Sequence, residues 1–358
     1  MPLSDTEQTT VFEALPQEES LWLEMLSKDS VWLSHQPNPN IPVVSNDDVL
    51  ALSPSSLETY LKCPRQFFYQ SMLGLRSESD SLQATIGKLV HRILEVFNRQ
   101  FQHNYILVAL ETLTQQILDT ETEPSELESL GLTRWDLKEF RQLAPIQQQQ
   151  IEQDILQAFR ALDRDGYFNI AFQSLRTEES LSFVSQEIPG FTLKGRADLI
   201  RETVEGTFEI VDYKTSRAKY QFTQQETNLR GLQNALQPID WEIDDIHVRY
   251  KDKELQLPLY WLMAQSMPAY QDKPTKISLQ VVRRPKLAGN PAPLALTHEA
   301  LLVAKPHLIE LLQKGVANPI RSADHFAPLG NRQQHCKYCT YKDLCEGPDG
   351  EGPEESFE

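Results

Sequence analysis

Residues 208–216 constrain the fold of this chain more than any other stretch. The sequence there, FEIVDYKTS, begins with β-forming apolar residues and ends with two charged and two small polar ones. Because positions i and i+2 of a strand point to the same face, Asp212 and Lys214 are expected to project together from the strand end. Ile210 and Val211 are expected to be buried. The pattern therefore predicts a core strand that presents an acid and an amine at one edge of a sheet.

A second acid lies one hairpin upstream. The sequence Gly-Arg-Ala-Asp ends at Asp198, near the end of an expected strand at 191–200, and residues 205–206 (Glu-Gly) form a turn short enough for antiparallel pairing with 207–215. A further strand at 175–184 completes a meander. Two carboxylates and one ammonium at strand ends suit a divalent metal with an activated water. An Asp-X-Lys tripeptide is common, however, and a surface salt bridge is the alternative.

Helical patterns surround these strands. The expected elements are a helix from Ser53, helices at 84–101, 253–267 and 301–312, and a strand at 277–284. Residues 103–165 are polar and rich in Gln, which predicts a helical insertion before the sheet. Residues 1–50 are interpreted as a weakly ordered acidic arm, and residues 347–358 as a disordered acidic tail. One domain is therefore expected at 51–346.

The net charge of −17 does not exclude a nucleic-acid partner, because the acidic residues are concentrated at the two ends. Residues 1–51 carry a net charge of −8 and residues 346–358 carry −6, which leaves −3 for residues 52–345. A local basic groove could still bind phosphate. No apolar run reaches the about 20 residues that span a bilayer, and the N-terminus lacks the features of a signal peptide. We therefore expect a cytoplasmic protein without a membrane partner.

The four cysteines predict one four-coordinate site. Cys336, Cys339 and Cys345 lie close together in the sequence, and Cys63 lies far upstream, after the first expected helix. Four thiolates with none left over fit either zinc or a cubane iron–sulfur cluster. Four unrelated thiols are the alternative. A shared site would connect the first helix to the C-terminal end of the domain and close a very long loop.

Three more side chains on helices are candidates for the site. His91 lies within the apolar pattern of 84–101, where a lone His is more often structural than a ligand. Gln256 and Tyr260 are four residues apart, so they share one face of the helix at 253–267. These residues taken alone leave structural and catalytic roles open.

Together these stretches resemble the PD-(D/E)XK nuclease superfamily, in its RecB-like branch with an iron–sulfur cluster. That branch includes the AddB nuclease domain and the CRISPR-associated adaptation nucleases. In chain order, the resembling stretches are 52–64 with Cys63, Gly87-X3-His91-X2-Leu94-Glu95, Gly195-X2-Asp198, Asp212-X-Lys214-Thr215, Gln256-X3-Tyr260 and the three late cysteines. Each stretch is short, but six in this order form a specific pattern, and they cover most of residues 51–346.

The resemblance implies a restriction-endonuclease-like α/β core: a central mixed sheet flanked by helices, with a cysteine cluster that joins the first helix to the C-terminal end. It implies one or two Mg²⁺ or Mn²⁺ ions, held by His91, Asp198, Asp212 and the Tyr213 carbonyl. Lys214 would position or activate the attacking water. Gln256 and Tyr260 would orient Lys214 or contact the strand. At the four cysteines the resemblance favours a [4Fe–4S] cluster over structural zinc.

The implied activity is metal-dependent cleavage of DNA, with an exonuclease or single-strand mode favoured, in repair, recombination or defence. Such domains often act beside a helicase, and because this chain has no Walker A sequence the motor would be a separate chain. Candidate phosphate contacts, for each of which a solvated surface charge is the alternative, are Lys219, Arg249, Lys251, Arg283, Arg284 and Lys286.

The rival interpretation is a non-catalytic iron–sulfur DNA-binding subunit of a helicase–nuclease complex. The intact Asp198, Asp212 and Lys214 argue against it, because an inactive copy commonly loses at least one of these residues.

Overall fold

The structure is a computed structural model of the 358-residue chain. It describes residues 49–75, 82–102, 105–119, 122–132, 137–164, 166–214, 255–281, 294–321, 336 and 339–346. All but two residues of the acidic arm, and the whole acidic tail, lie outside the described residues. Within them, no helix is long and apolar enough to cross a membrane.

A mixed sheet of six strands organises the described residues. Its strands are β1 (Leu50–Leu52), β2 (Phe172–Val184), β3 (Phe191–Thr203), β4 (Phe208–Lys214), β5 (Thr275–Val281) and β6 (Leu294–Leu296). Strand β3 pairs in parallel with β1 and antiparallel with β2 and β4. Strand β4 pairs in parallel with β5, and β5 pairs antiparallel with β6. The expected mixed sheet is thus confirmed, and β2, β3 and β4 form the meander.

The hairpin between β3 and β4 has the geometry that its sequence favours. Gly206 adopts a φ of +78°, a left-handed conformation that glycine reaches without the Cβ penalty of other residues. The Thr203 N–H donates to the Thr207 carbonyl at 2.9 Å and closes the turn. Beyond it the two strands pair from Glu202 opposite Phe208 to Leu199 opposite Val211. This register fixes which residues of the two strands lie side by side.

Helices cover both faces of the sheet. They are α1 (Pro54–Lys62), α2 (Pro64–Phe67), α3 (Leu82–Gln100), α4 (Leu107–Leu118), α5 (Pro124–Ser129), α6 (Lys138–Arg141), α7 (Pro145–Arg164), α8 (Gln256–Gln265), α9 (His298–Glu310), α10 (Asn318–Ile320) and α11 (Lys342–Glu346). Two π-helical segments, Phe68–Met72 and Leu311–Ala317, extend α2 and α9. The sequence did not predict β1 and β6, because three-residue strands are too short to show alternation.

Two apolar cores lie on opposite faces of the sheet. In the first, α1, α8 and α9 pack on one face, and Trp261 of α8 is fully buried there. In the second, α3, α4 and α7 pack on the other face around Phe97 and Phe159. Strand β4 serves both cores, because Ile210 faces the first and Val211 faces the second. Every residue of β4 except Lys214 is buried, including the charged Glu209 and Asp212.

Strands β2 and β3 exchange faces midway along their length. Ala197 packs in the first core and Leu199 in the second, although residues two apart in a regular strand share a face. The break falls at Asp198. On β2 it falls near Glu178, whose φ of +52° is unusual for a residue with a Cβ. The local distortion of the pair therefore coincides with one of the acids singled out by the sequence.

A buried ion pair crosses the sheet behind the site. Arg201 of β3 and Glu209 of β4 are directly opposite each other, and Arg201 Nε donates to Glu209 Oε2 at 2.5 Å. Lys276 of β5 approaches the same carboxylate oxygen at 3.6 Å. Burial opposes the charge on Glu209, but Arg201 outweighs it and holds the pKa of that carboxyl below its usual value. The guanidinium also lies 5.6 Å above the Tyr167 ring, where a cation–π contact is favourable.

We expect Glu209→Leu to lower the free energy of unfolding by about 3–5 kcal/mol, because it leaves the buried Arg201 without its carboxylate. The double variant Arg201→Met/Glu209→Leu is expected to regain most of this loss, since no buried charge remains. Urea denaturation of the three proteins measures both effects. Equal losses in the single and the double variant would show that the pair is not coupled.

Candidate active site

The first two candidate ligands come together from α3 and β3. His91 lies on the face of α3 that covers the sheet, and its Nδ1 is 3.4 Å from Asp198 Oδ1. The His91 side chain is one-third exposed and that of Asp198 is 17% exposed, so both are accessible to a small ion or substrate. The His91 ring also stands edge-on to the Tyr213 ring, with centroids 6.0 Å apart.

Asp198 also holds the end of β4. The pairing of β3 with β4 stops at Leu199 and Val211, and beyond it the Asp198 Oδ2 accepts the backbone N–H of Tyr213 at 2.8 Å. A side chain thus replaces a ladder hydrogen bond where the two strands diverge. The contact brings the peptide between Asp212 and Tyr213 beside the Asp198 carboxylate.

Asp212 and Lys214 project from the same face of β4. Lys214 Nζ lies 2.8 Å from Asp212 Oδ2. Asp212 is only 2% exposed, whereas the Lys214 side chain is 23% exposed and therefore reaches the surface of the site. The buried Asp212 Oδ2 accepts no well-aligned hydrogen bond within the described residues, so the ammonium is its electrostatic partner.

A chain of hydrogen bonds links Lys214 to α8. Lys214 Nζ donates to Gln256 Oε1 at 2.7 Å, and Gln256 Nε2 donates to the Tyr260 hydroxyl at 2.9 Å. Gln256 and Tyr260 share a face of α8, as their spacing indicates. Pro258 lies in the first turn of this helix, where the backbone N–H has no partner within the helix, so the ring removes no helical bond.

Charges in the site shift two acid–base groups. Burial raises the pKa of Asp212; Lys214 opposes this shift and the nearby Asp198 adds to it, so the net pKa is above its ordinary value. Burial lowers the pKa of His91, but the hydrogen bond to Asp198 and the charges of both carboxylates outweigh it, so the net pKa is raised. Burial is the main cause of the Asp212 shift, whereas the His91 shift reflects the negative charge of the two carboxylates, and a bound cation would favour the ionised form of each carboxylate.

Two other carboxylates near His91 are paired with arginines. Glu95 contacts Arg92 and Arg99 on the same helix, and Glu178 lies 3.5 Å from Arg196. A cavity of about 420 Å³ opens beside His91, and its lining is Thr85, Lys88, His91, Arg92, Glu95, Glu139 and Glu178. Because arginines already contact their carboxylates, Glu95 and Glu178 are poorer candidate ligands than Asp198 and Asp212.

The donors of the site suit Mg²⁺ or Mn²⁺, although they do not form a ready coordination sphere. Carboxylate and carbonyl oxygens are the preferred donors for these hard cations. A bound cation would also offset the free-energy cost of burying the Asp212 carboxylate beside that of Asp198. Within the described residues, no group of three or more His, Cys, Asp and Glu is arranged to hold a metal. The site donors contact one another and Lys214 instead.

A buried polar network supports Tyr213 from behind. The Tyr213 and Tyr167 hydroxyl oxygens are 2.5 Å apart, and Asn98 Nδ2 donates to the Tyr213 oxygen at 3.0 Å. Tyr105 donates to Asn98 Oδ1 at 2.7 Å. Because a buried polar network is favourable only when its members are satisfied, it fixes the Tyr213 ring and the adjoining β4 backbone. Sequence reasoning missed these residues; a polar Asn98 inside the apolar face of α3 was the available signal.

The four cysteines lie at the start and end of the domain, and within the described residues they form no group arranged to hold a metal. Burial raises the pKa of Cys345 to about 11, and the charges of Cys63, Cys339 and Cys336 add to this shift. The Tyr341 hydroxyl donates to the Leu75 carbonyl at 2.6 Å, so the C-terminal segment packs on the chain that follows α2.

The six basic residues proposed as phosphate contacts lie outside the described residues.

Comparison with known proteins decides the family. The sequence matches the PD-(D/E)XK nuclease superfamily over residues 51–346, which is most of the chain. The chain belongs to the PD-(D/E)XK nuclease superfamily. The mixed sheet flanked by helices is therefore its restriction-endonuclease-like core, and membership indicates a nuclease-type phosphodiesterase whose superfamily typically uses Mg²⁺ or Mn²⁺.

The other comparisons add little to this assignment. No curated protein matches the sequence. A solved structure, that of the protein SSO0001, is 16% identical to this PD-(D/E)XK chain; the alignment covers 90% of this chain and 94% of that one, with a TM-score of 0.26. The family assignment therefore rests on the sequence match and on the architecture of the sheet.

A glycine on β3 allows the helix with Gln256 to approach the PD-(D/E)XK site. A Cβ on Gly195 would lie 2.7 Å from Tyr260 Cε1, 3.0 Å from Met263 Cε and 3.2 Å from Pro54 Cδ. Contacts below 3 Å force a shift, so a larger residue displaces the Tyr260 ring. Because Tyr260 accepts from Gln256, the displacement is passed toward Lys214.

We expect Gly195→Ala to lower the free energy of unfolding by about 1–3 kcal/mol through overpacking, and also to lower nuclease turnover by moving Tyr260. Gly206→Ala is the matched control. It places a Cβ in open space at a positive φ, so it lowers stability by about 1–2 kcal/mol at the hairpin, away from the site. Thermal unfolding and nuclease assays compare the two. Equal turnover would contradict a role for this close approach.

Proposed function

We propose that the chain is a metal-dependent deoxyribonuclease of the RecB-like branch that degrades single-stranded DNA from an end. The observation that carries the proposal is the contact between Lys214 and two partners of different chemistry, the Asp212 carboxylate and the Gln256 amide oxygen, beside the His91–Asp198 pair. A surface salt bridge does not explain this arrangement, because Asp212 is buried and Lys214 is held on both sides.

The proposed ligands of Mg²⁺ or Mn²⁺ are His91, Asp198, Asp212 and the Tyr213 carbonyl. When bound, such an ion supplies Lewis-acid stabilisation of the phosphate and lowers the pKa of a coordinated water. The chain supplies the donors on three separate elements and holds two of them by hydrogen bonds. Tyr213 is fixed at its backbone by Asp198 and at its ring by Asn98 and Tyr167.

Lys214 is the proposed water-positioning group. Its ammonium can donate to a water or to a phosphate oxygen, and its positive charge opposes the negative charge that builds on the phosphate during attack. Gln256 limits the freedom of the long side chain by accepting one of its hydrogens at 2.7 Å. Tyr260 in turn limits Gln256 and stays a neutral acceptor, because burial raises its pKa to about 12. These residues bind and orient; none of them needs to change charge.

The preference for single-stranded DNA and for ends is supported by the order of the six stretches that resemble the RecB-like branch. The body of the chain is nearly neutral once the acidic ends are set aside, which leaves room for a local phosphate-binding groove. We also propose a separate helicase or repair protein as a partner, and a cytoplasmic location, on the same resemblance.

Asp212→Asn is expected to lower cleavage of end-labelled single-stranded DNA by about 10²–10³-fold, because it removes the buried charge that balances Lys214 and serves the ion. The assay compares Mg²⁺, Mn²⁺ and chelator. Asp163→Asn, on the exposed surface of α7, is the control and should cleave like the unaltered protein. Metal-dependent activity that is equal in both variants would reject this active site. The labelled-end products also report the polarity of digestion.

We further propose that Cys63, Cys336, Cys339 and Cys345 hold a [4Fe–4S] cluster, with structural zinc as the alternative. The electrostatic effect of the other three thiols on Cys345 supports a shared site, and burial, with a smaller effect of Cys345, raises the pKa of the Tyr69 hydroxyl. That hydroxyl also donates to the Leu344 carbonyl at 3.1 Å. This bond supports the proposal, because it connects the segment after α2 to helix α11, which contains Cys345, and a bound group would add to this connection.

Anaerobic purification is expected to give a brown protein with visible charge-transfer absorption and about four irons per chain. Cys339→Ser should lose the colour and lower the unfolding temperature, because the link between α1 and the C-terminal segment weakens. Metal analysis accompanies both measurements. A colourless protein with stoichiometric zinc would show that the cysteines bind zinc and not an iron–sulfur cluster. A protein with neither iron nor zinc would reject the shared site.

A further inference from the structure

The helix that carries Gln256 receives its N-terminal cap from a distant part of the chain. Glu58 of α1 accepts the backbone N–H of Leu255 at 2.9 Å and that of Gln256 at 3.0 Å, both on its Oε1. The N-cap residue of α8 is Leu255, whose side chain cannot make the usual capping bond. The first N–H groups of a helix have no partner within it. Glu58 thus takes the place of a local Ser, Thr or Asp cap.

The capped residue is also the one that holds Lys214. Gln256 begins α8, and its side chain accepts from Lys214 and donates to Tyr260. Its backbone N–H is bound by Glu58 in the same structure. A carboxylate at a helix N-terminus is also favoured by the helix dipole. The position of Gln256, and with it the ammonium of Lys214, is therefore set by Glu58.

The Glu58 carboxylate is close to the charges of the site. Burial raises its pKa, the Lys214 charge and the two backbone hydrogen bonds oppose this shift, and Asp212 adds to it. The sequence did not predict this role, because Glu58 lies far from Gln256 in the chain and resembles any other acidic residue in the middle of a helix. The signal that could have revealed it is the apolar Leu255 in front of Gln256, which leaves the start of α8 without a local cap.

We propose that Glu58 is a positioning residue of the nuclease centre, which acts by holding the first turn of α8 so that Gln256 fixes Lys214. This inference rests on the proposed nuclease function and on the role of Lys214 within it. The alternative is a cap that contributes stability alone. A positioning role predicts a loss of turnover that depends on Gln256, whereas a purely stabilising cap predicts no loss of turnover.

The test uses the full chain with Mg²⁺ and labelled single-stranded DNA, and measures kcat and KM separately. We expect Glu58→Ala to lower kcat by up to about 100-fold with little change in KM, because a small misplacement of a catalytic group is costly. Glu58→Gln keeps an acceptor oxygen, and its kcat should stay within about fivefold of the unaltered protein.

The matched control is a helix cap remote from the site. Thr297 accepts the Ala300 N–H at 3.3 Å and caps α9. Thr297→Ala should lower the unfolding temperature as a lost cap does, with kcat unchanged. In a Gln256→Ala background, Glu58→Ala should add little further loss of kcat, since the two residues act through one contact. Amide hydrogen exchange of residues 255–265 should rise in Glu58→Ala and not in Thr297→Ala.

Equal kcat in Glu58→Ala and Thr297→Ala would overturn the inference, and so would additive losses in the Gln256→Ala background. Loss of kcat in Glu58→Gln as large as in Glu58→Ala would also overturn it, because the acceptor oxygen would then be insufficient. If Glu58→Ala does not fold, Glu58→Asp replaces it, since its shorter side chain cannot reach both N–H groups. An unaltered protein without metal-dependent activity would instead reject the proposed function.

Discussion

The burial of the Asp212 carboxylate is the constraint on which the rest of the site depends. A buried charge is costly unless it is paired, and a second carboxylate, Asp198, raises that cost. The chain supplies one cation, Lys214, two residues along the same strand. That cation is itself shared with Gln256, so it does not sit as a simple ion pair. Two carboxylates thus share one ammonium, and this arrangement is suited to a divalent ion and to a phosphodiester.

The sheet makes this arrangement possible because β4 is buried on both faces until its last residues. Ile210 and Val211 anchor the strand in opposite cores, so neither face can shift without loss of packing. Tyr213 continues the second face and is hydrogen-bonded within the buried network. Asp212 and Lys214 are thereby held in place on the other face of the strand, the one that carries Ile210. The precision of the site comes from residues that never touch a substrate.

Much of this could be predicted from the sequence, because strand periodicity is local. The common face of Asp212 and Lys214 and the Gly206 turn follow from spacing alone. The face exchange at Asp198 does not, since it depends on how two cores compete for one strand pair. Nor do the contact of Asn98 with Tyr213 and that of Glu58 with Leu255, because the two residues of each pair are more than a hundred positions apart. Local patterns encode elements, whereas the second layer of polar contacts is specified only when the elements pack.

Helix α1 brings these features together. Glu58 lies in its middle and caps the helix of Gln256, and Cys63, one of the four proposed cluster ligands, is its C-cap residue. Cys63 lies five positions after Glu58, which corresponds to a helical rise of about 7–8 Å. A short helix with buried Leu57, Tyr60 and Leu61 on the first core behaves as a rigid element. Anything that orders the cysteine end of α1 therefore also restrains its Glu58 end. Helix α1 thus connects the cysteine end of the domain to the carboxylates of the site, although 148 residues lie between Cys63 and Asp212 in the sequence.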